Sequence, residues 1–386
     1  MMRTASVRLG FVDKPGGRKI HENPKPLGGG VGIFWAMAVP MIAGLVYVSF
    51  FSPPGFLESP RWLGADIASR LDAYWSGIRE RTPLAFEMLL AGFGMHLLGL
   101  ADDRKAMGPY FKLLIQLSII TALVAIGNLR VLTFLDHALP GGRLISIVAT
   151  VLWIGAITNA FNFLDNMDGL SAGVAAVCAT AFLVAALSIG QWFVASALAL
   201  LLGAILGFLW HNFPPARIFM GDSGSLLIGF FLGVLTVLTT YLPAGATWQN
   251  DWYAIFAPVV VLALPLYDLV VVSAIRILRG KNPFVGDTNH FSHRLVHRGM
   301  SRRTAVLCLY LVAAATSVGA IILPHVNSHF ALLILLQTLL ILCVVALLEQ
   351  HPMPMATVSP VNEAGKAHDS PVAPGGLTPP FSGDQR

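Results

Sequence analysis

The sequence predicts an all-α integral membrane protein, a polytopic bundle of about ten transmembrane helices. The chain has 386 residues, of which 55% are hydrophobic and 12% are charged, and its mean hydropathy is +0.71. An average soluble domain has about 25% charged residues, and about 20 apolar residues in helical conformation cross a bilayer. About ten apolar runs of this kind follow one another, at residues 30–51, 83–100, 110–127, 144–161, 170–189, 191–211, 224–242, 253–275, 304–324 and 329–348.

Helices are predicted for these runs because the lipid interior offers the backbone no hydrogen-bond partner, and only helices and closed barrels satisfy their own backbone. Barrel strands would be short and alternating, whereas these runs are continuous. The chain is therefore divided into an N-terminal segment at 1–29, a transmembrane domain at 30–348 and a tail at 349–386. The Pro, Gly and Ser content of the tail predicts that it is disordered.

The distribution of basic residues predicts which side of the membrane each loop occupies. When the runs are alternated across the bilayer, 19 Arg and Lys residues fall on the side of the N-terminus and six on the other side. Basic residues in short loops favour the cytoplasmic side, so the N-terminus, the tail and the loops on their side are predicted to be cytoplasmic. This topology accounts for the net charge of +5, and nucleic acid is not an expected partner.

Four polar clusters fall on this predicted cytoplasmic face. They are "LADDRKAMGPYFK" at 100–112, "NAFNFLDNMDG" at 159–169, "ARIFMGDSGS" at 216–225 and "DTNHFSHRLVHRG" at 287–299. Ordinary solvated loops would not be so rich in paired carboxylates and histidines. We therefore interpret the four clusters as parts of one site, located where the membrane meets the cytoplasm.

The first cluster carries two adjacent carboxylates, Asp102 and Asp103, just beyond an apolar run. One interpretation is a charge pair at a helix end, balanced by Arg104 and Lys105. The other is a magnesium site or a base of raised pKa, because two carboxylates within reach of one another suit both roles.

The second cluster is rich in amide and carboxylate oxygens, which suit a hard cation such as magnesium. Asn159 and Asn162 share one face of a helix end, and Asp165 and Asp168 follow at three-residue steps. Helix capping is the alternative, but it would use one or two such residues.

The last two clusters carry groups that suit phosphate. Asp222 stands in a Gly–Asp–Ser–Gly–Ser run that begins a helix, whose free amides and dipole favour phosphate, although an N-cap role for the serines is the alternative. His290, His293 and Arg294 are spaced to clamp a phosphate or pyrophosphate. Asp268 lies inside the eighth apolar run, where a carboxylate indicates a function unless it pairs with an arginine. This combination suits phosphoryl transfer from a water-soluble diphosphate to a lipid phosphate.

The quoted clusters resemble a known family. "GLADDRKAMGPYFKLLIQ", "NAFNFLDNMDGLSAG", "ARIFMGDSGSLLIGFFLG" and "DTNHFSHRLVHRGMS" resemble, in this order, motifs of the polyprenyl-phosphate N-acetylhexosamine-1-phosphate transferase superfamily, which is glycosyltransferase family 4. The opening "GFVDKPGGRKIHENPKPLGGG" is similar to the undecaprenyl-phosphate N-acetylglucosamine-1-phosphate transferase branch. The resemblance runs from about residue 9 to residue 348.

The resemblance implies specific roles. Asn162 and Asp222 match the ligands of magnesium, which manganese can replace, and Asp102 and Asp103 match an acidic pair proposed to deprotonate the prenyl phosphate. The other matches concern the substrate. Those predicted to bind the nucleotide sugar are Asn159, Asp165, Asp168, Asp268 and Arg294. His290 and His293, in the His-rich loop that meets the diphosphate, are predicted to be catalytic, as are Asp102 and Asp103.

The sequence departs from the family pattern near two of these motifs. The His-rich motif usually reads His-x-His-His-Arg, and here Ser292 replaces the middle histidine. The pair Asp165-Asn166 stands where Asp-Gly is common. These departures concern the details of the substrate site rather than the class of reaction.

The resemblance implies an enzyme of the bacterial cytoplasmic membrane with its active site facing the cytoplasm. It would transfer N-acetylglucosamine 1-phosphate, or a related hexosamine 1-phosphate, from a UDP-N-acetylhexosamine to undecaprenyl phosphate as the first membrane step of a cell-envelope polysaccharide. Direct attack and a covalent aspartyl-phosphate route are both open, as is a homodimer. The alternatives are a phospho-N-acetylmuramoyl-pentapeptide transferase, an ion-coupled transporter and a scaffold that has lost activity.

Overall fold

The computed structural model describes residues 6, 11–13, 25–51, 64–239, 255–283, 290–323 and 326–350. Within these ranges lie two short strands and thirteen helices. They are β1 (Val12–Asp13), β2 (Lys25–Pro26), α1 (Gly29–Phe50), α2 (Gly64–Arg104), α3 (Pro109–Ile126), α4 (Leu135–Ala138), α5 (Gly142–Leu164), α6 (Leu170–Ser188), α7 (Trp192–Asn212), α8 (Asp222–Leu238), α9 (Ala257–Val261), α10 (Ala263–Leu278), α11 (Phe291–His297), α12 (Arg302–Ile322) and α13 (Ser328–Gln350).

The prediction of an all-α multi-pass membrane protein is confirmed. Among the described helices, eight are long and apolar enough to cross a membrane: α1, the Gly77–Arg104 part of α2, α3, α5, α6, α7, α12 and α13. The other two predicted runs differ from simple spans, because α8 has 17 residues and the eighth run is divided into α9 and α10 at Leu262. The number of crossings and the side of the membrane on which each loop lies therefore stay predictions.

Helix α8 lies at the centre of the bundle. Every residue from Ser223 to Thr236 is buried, so this helix contacts protein on all sides, which is why it is hydrophobic all round and can be short. Gly229 and Gly233 form a small-residue pair four positions apart, which lets two helix backbones approach closely. A Cβ atom at Gly229 would lie 2.7 Å from the Cα atom of Thr158 in α5. The end of α5 is thereby held beside the start of α8.

The start of α8 is enclosed by further close contacts. A Cβ atom at Gly99 of α2 would lie 2.3 Å from the Cα atom of Ser223, and one at Gly30 of α1 would lie 2.4 Å from the backbone nitrogen of Gly224. Phe219, in the loop before α8, donates its backbone N–H to Pro26 and accepts one from Gly29, both at 3.0 Å. The ends of α1, α2 and α5 therefore meet around one helix N-terminus.

The predicted domain boundaries stay predictions. The chain divides into two compact units, Met1–Pro352 and Met353–Arg386, and every described residue belongs to the first. The segment predicted at 1–29 is described at residue 6, 11–13 and 25–29, where β1 pairs antiparallel with β2. The tail predicted to be disordered lies outside the described residues beyond Gln350.

Candidate active site

The end of α2, the start of α3, the α5–α6 bend (Asp165–Gly169) and the start of α8 lie together at one end of the bundle. Asp102 and Asp103 are in the last turn of α2, and Asn162 is in the last turn of α5. Asp222 is the first residue of α8. The structure therefore brings the first three polar clusters into one place, as the sequence predicted.

Asp103 holds the N-terminus of α8. Its Oδ1 atom accepts a hydrogen bond from the backbone N–H of Asp222 at 2.7 Å, and its Oδ2 atom accepts one from that of Ser223 at 3.1 Å. The first amides of a helix have no partner within the helix, and their dipoles favour a negative charge. From α2, His96 also donates its Nδ1–H to the backbone carbonyl of Ser223 at 3.1 Å. Asp103, predicted as a catalytic residue, thus fixes the position of Asp222.

We expect Asp103→Asn to lower the free energy of unfolding by about 1–3 kcal/mol, because the amide leaves one buried N–H of α8 without an acceptor. Activity should fall as well, since Asp222 is no longer held in place. Thermal unfolding in detergent and a turnover assay measure the two effects, with Glu80→Gln, an exposed site in the middle of α2, as the matched control. An unchanged unfolding midpoint together with lost activity would instead indicate that Asp103 accepts a proton.

Lys112, which the sequence analysis did not select, connects two of the carboxylates. Its Nζ atom lies 3.2 Å from Oδ2 of Asp102 and also forms an ion pair with Oδ2 of Asp222. The other oxygen of Asp102 accepts the backbone N–H of Met107 at 2.6 Å. A lysine one turn inside an apolar run is costly in a membrane unless it is paired, and this was the signal that could have identified it.

Asn162 lies on the other side of Asp222. Its Nδ2 atom donates to Oδ1 of Asp222 at 3.0 Å and to Oγ of Ser225 at 2.9 Å. Asn162 therefore turns its amide nitrogen, not its oxygen, toward Asp222, and a role for the oxygen as a ligand requires the amide to turn over. Asn159, predicted in the substrate site, lies one turn deeper and donates to Oε1 of Gln116 at 2.9 Å.

Asp165 and Asp168 lie in the α5–α6 bend and have different environments. Burial by surrounding protein raises the pKa of Asp165 well above its usual value, and the negative charges of Asp222, Asp103 and Asp168 raise it further. Asp168 accepts the backbone N–H of Ala216 at 2.9 Å, which ties the bend to the loop before α8. Asp165 is thus a buried carboxyl group among other carboxylates, and Asp168 is held in a structural contact.

Asp268 and His290 form a buried pair. Nδ1 of His290 lies 2.9 Å from Oδ2 of Asp268, and Nε2 lies 3.3 Å from Nη2 of Arg276. Because a guanidinium group can only donate, Nε2 accepts and the ring proton resides on Nδ1, facing Asp268. Asp268 was expected to pair with an arginine if it had no function. In the structure the imidazole of His290 lies between Asp268 and Arg276 and contacts both. All three residues are buried: Asp268 and Arg276 are each 1% exposed, and His290 is 4% exposed.

His293 and Arg294 lie in α11, which follows His290. Burial lowers the pKa of His293, as do the nearby His290, His297 and Arg302, whereas Asp268 acts in the opposite direction. A neutral imidazole retains one N–H group that can donate to a phosphate oxygen. The residue that precedes α11 contacts the end of α5, where the ring of Phe163 meets that of His290 edge to face at 5.9 Å between centroids.

The side chains around Asp222 fit a magnesium ion that also binds substrate phosphate. Among the described residues, no three carboxylate, histidine or cysteine side chains meet closely enough to hold a metal by themselves. Magnesium is, however, commonly held by one or two carboxylates, with water and substrate phosphates completing its shell. Asp222, Asp103 and Asp168 lie near enough to Asp165 to add to the effect of burial on its pKa, and a divalent cation would offset the repulsion among these carboxylates.

Taken together, the bundle and this polar site define a class, a multi-pass membrane protein with a cluster of charged and amide side chains at one end of its helices. A family model for glycosyl transferase family 4 matches residues 85–240, which contain the first three clusters. The chain is 31% identical over 338 residues to a decaprenyl-phosphate N-acetylglucosaminephosphotransferase of Mycobacterium tuberculosis, covering 83% of this chain and 77% of the relative. The chain belongs to glycosyl transferase family 4.

Two other relatives, like the first, match most of the chain and not only the residues that the family model matches. The chain is 29% identical over 349 residues, 90% of its length and 86% of the relative's, to a probable undecaprenyl-phosphate N-acetylglucosaminyl 1-phosphate transferase of Bacillus subtilis. It is 25% identical over 342 residues, 85% and 80% of the two lengths, to an undecaprenyl-phosphate alpha-N-acetylglucosaminyl 1-phosphate transferase of Escherichia coli O157:H7. Membership in this family makes the chain a transferase and decides against the transporter.

Proposed function

We propose that this protein transfers N-acetylglucosamine 1-phosphate from UDP-N-acetylglucosamine to undecaprenyl phosphate and releases UMP. The observation that carries this proposal is the group of contacts among Asp102, Lys112, Asn162 and Asp222. This group lies at one end of the helical bundle of a family 4 protein. The names of the relatives support the sugar and the polyprenyl phosphate. The basic loops favour a site on the cytoplasmic face of a bacterial inner membrane.

In the proposed reaction, an oxygen of undecaprenyl phosphate attacks the phosphorus that bears the sugar. The bond from that phosphorus to the bridging oxygen of UMP breaks, and UMP leaves with the electron pair. The protein chiefly positions and neutralises charge in such transfers. Asp102 accepts the proton of the lipid phosphate or orients it, and Lys112 offsets negative charge on the reacting phosphates.

A magnesium ion held by Asp222 and Asn162 would neutralise the diphosphate, with manganese as a substitute. Asp103 keeps Asp222 in place through the amides of α8. His293 and Arg294 offer hydrogen bonds to the diphosphate of the donor from the side of α11. Asp268 supports this side through His290 and the start of α11.

The test is the release of UMP by the purified full chain given UDP-N-acetylglucosamine, undecaprenyl phosphate and magnesium. We expect UMP to form when all three are present, and to fall to background when the lipid is omitted or EDTA is added. Restoring activity with excess magnesium controls for damage by the chelator. Folded protein that releases no UMP with this donor, but does so with UDP-N-acetylmuramoyl-pentapeptide, would assign the chain to the alternative transferase.

A further inference from the structure

A hydrogen bond connects the His-rich helix to the α5–α6 bend. Oγ of Ser292 in α11 lies 2.5 Å from Oδ1 of Asn166 in the bend, and Ser292 is 1% exposed. Nδ2 of Asn166 donates to the backbone carbonyl of Phe163 at 2.7 Å. Since that carbonyl can only accept, the orientation of the amide is determined, and its oxygen faces Ser292. The serine hydroxyl is therefore the donor.

Among the described residues, this bond is one of several polar contacts that hold the start of α11. On the other side, Asp268 of α10 accepts the backbone N–H of Phe291 at 3.1 Å and pairs with His290. Ser292 stands between His290 and His293 in sequence, so its bond to Asn166 sets where His293 and Arg294 lie relative to the acidic bend. The bond joins residues 126 positions apart in the chain. It shares no residue with the contacts among Asp102, Lys112, Asn162 and Asp222.

Asn166 and Ser292 are also two of the positions at which these motifs depart from the family pattern that the sequence resembles, Thr288 in place of a frequent arginine being another. A glycine at position 166 would offer no side-chain acceptor to a residue at position 292. The two departures are thus in direct contact, and each provides the partner that the other needs.

We propose that Asn166 and Ser292 are a coupled pair of positioning residues that holds α11 against the α5–α6 bend and thereby determines the affinity for the diphosphate of the nucleotide-sugar donor. This inference rests on the proposed function. The effect falls on the donor because α11 contributes His293 and Arg294, which can bind phosphate. The group formed by Asp102, Lys112 and Asp222 is held by contacts of α2, α3 and α8 instead.

The test is a double-mutant cycle on Asn166→Ala and Ser292→Ala, with KM for UDP-N-acetylglucosamine and kcat measured at saturating lipid. Each single change should raise KM about three- to tenfold, the range expected for one lost hydrogen bond, with a smaller change in kcat. The KM of the double variant should equal that of the weaker-binding single variant. It should not reach the product of the two single increases in KM. Independent, multiplying effects, or a loss of kcat with KM unchanged, would overturn the proposal.

Several controls keep the result interpretable. Ser292→Thr retains the hydroxyl and should restore a KM near that of the parent chain; a threonine variant as weak as Ser292→Ala contradicts the proposal. Ser118→Ala removes an exposed hydroxyl that bonds only within α3 and should leave KM unchanged. If Ser292→Ala does not fold, Asn166→Ala and Asn166→Gly must each raise KM. A parent chain without lipid-dependent UMP release refutes the proposed function itself, whereas an active parent with multiplying variants refutes only the coupling.

Discussion

Replacing Asp222 by alanine should lower UMP release by about a hundred- to a thousandfold, the scale seen when one charge-stabilising group is removed from an active site. Asp222 meets Lys112 on one side and Asn162 on the other, and in the proposed function it holds the magnesium ion. The fold should persist, because the amides of α8 bond to Asp103 and not to the Asp222 side chain. Turnover and elution as a single species in detergent measure both outcomes.

Asp136→Ala is the matched control for this variant. Asp136 pairs with Arg130 at 2.6 Å in the segment between α3 and α5, which lies at the other end of these helices from Asp222. It should retain nearly full activity even if its stability falls. Full activity in Asp222→Ala would remove the assigned metal site, and aggregation of that variant alone would show that Asp222 has a mainly structural role.

Replacing Lys112 by methionine should nearly abolish activity and also destabilise the protein. The change leaves Asp102 and Asp222 without the cation that they share. Removing one partner of a largely buried ion pair costs about 3–5 kcal/mol because the other charge is left uncompensated. Methionine keeps the length and apolar stem of lysine, so the loss reports on the charge. Thermal unfolding in detergent and UMP release are the measurements.

Magnesium provides a second readout for the same variant. Since Lys112→Met removes a positive charge from beside two carboxylates, a divalent cation should raise its unfolding midpoint more than it raises that of the parent chain. Lys112→Arg keeps the charge and should recover most of the stability but less of the activity, because a guanidinium group differs in shape from an ammonium group. Equal magnesium effects on the parent and Lys112→Met would show that the cation does not bind beside these carboxylates.

Much of the site could be predicted because its chemistry contrasts with its surroundings. Carboxylates, amides and histidines are costly in a membrane, so Asp102, Asp103, Asn162 and Asp222 stood out from an apolar chain, and the structure places them together. The roles within the group were harder to predict. The catalytic role of Asp103 stays a prediction, and the structure adds that its carboxylate accepts the first amides of α8.

The sequence by itself determined the class of the protein, the helical character of its apolar runs and the clusters that form its site, because hydrophobicity and helix length are local properties of the chain. The tertiary structure decided which side chains meet. Lys112 reaches Asp222 across 110 positions and Ser292 reaches Asn166 across 126. Such pairs depend on how closely helices pack, as Gly229 lets α8 approach α5. That close packing arises from the shapes of several helices at once, so no single segment of the sequence encodes it.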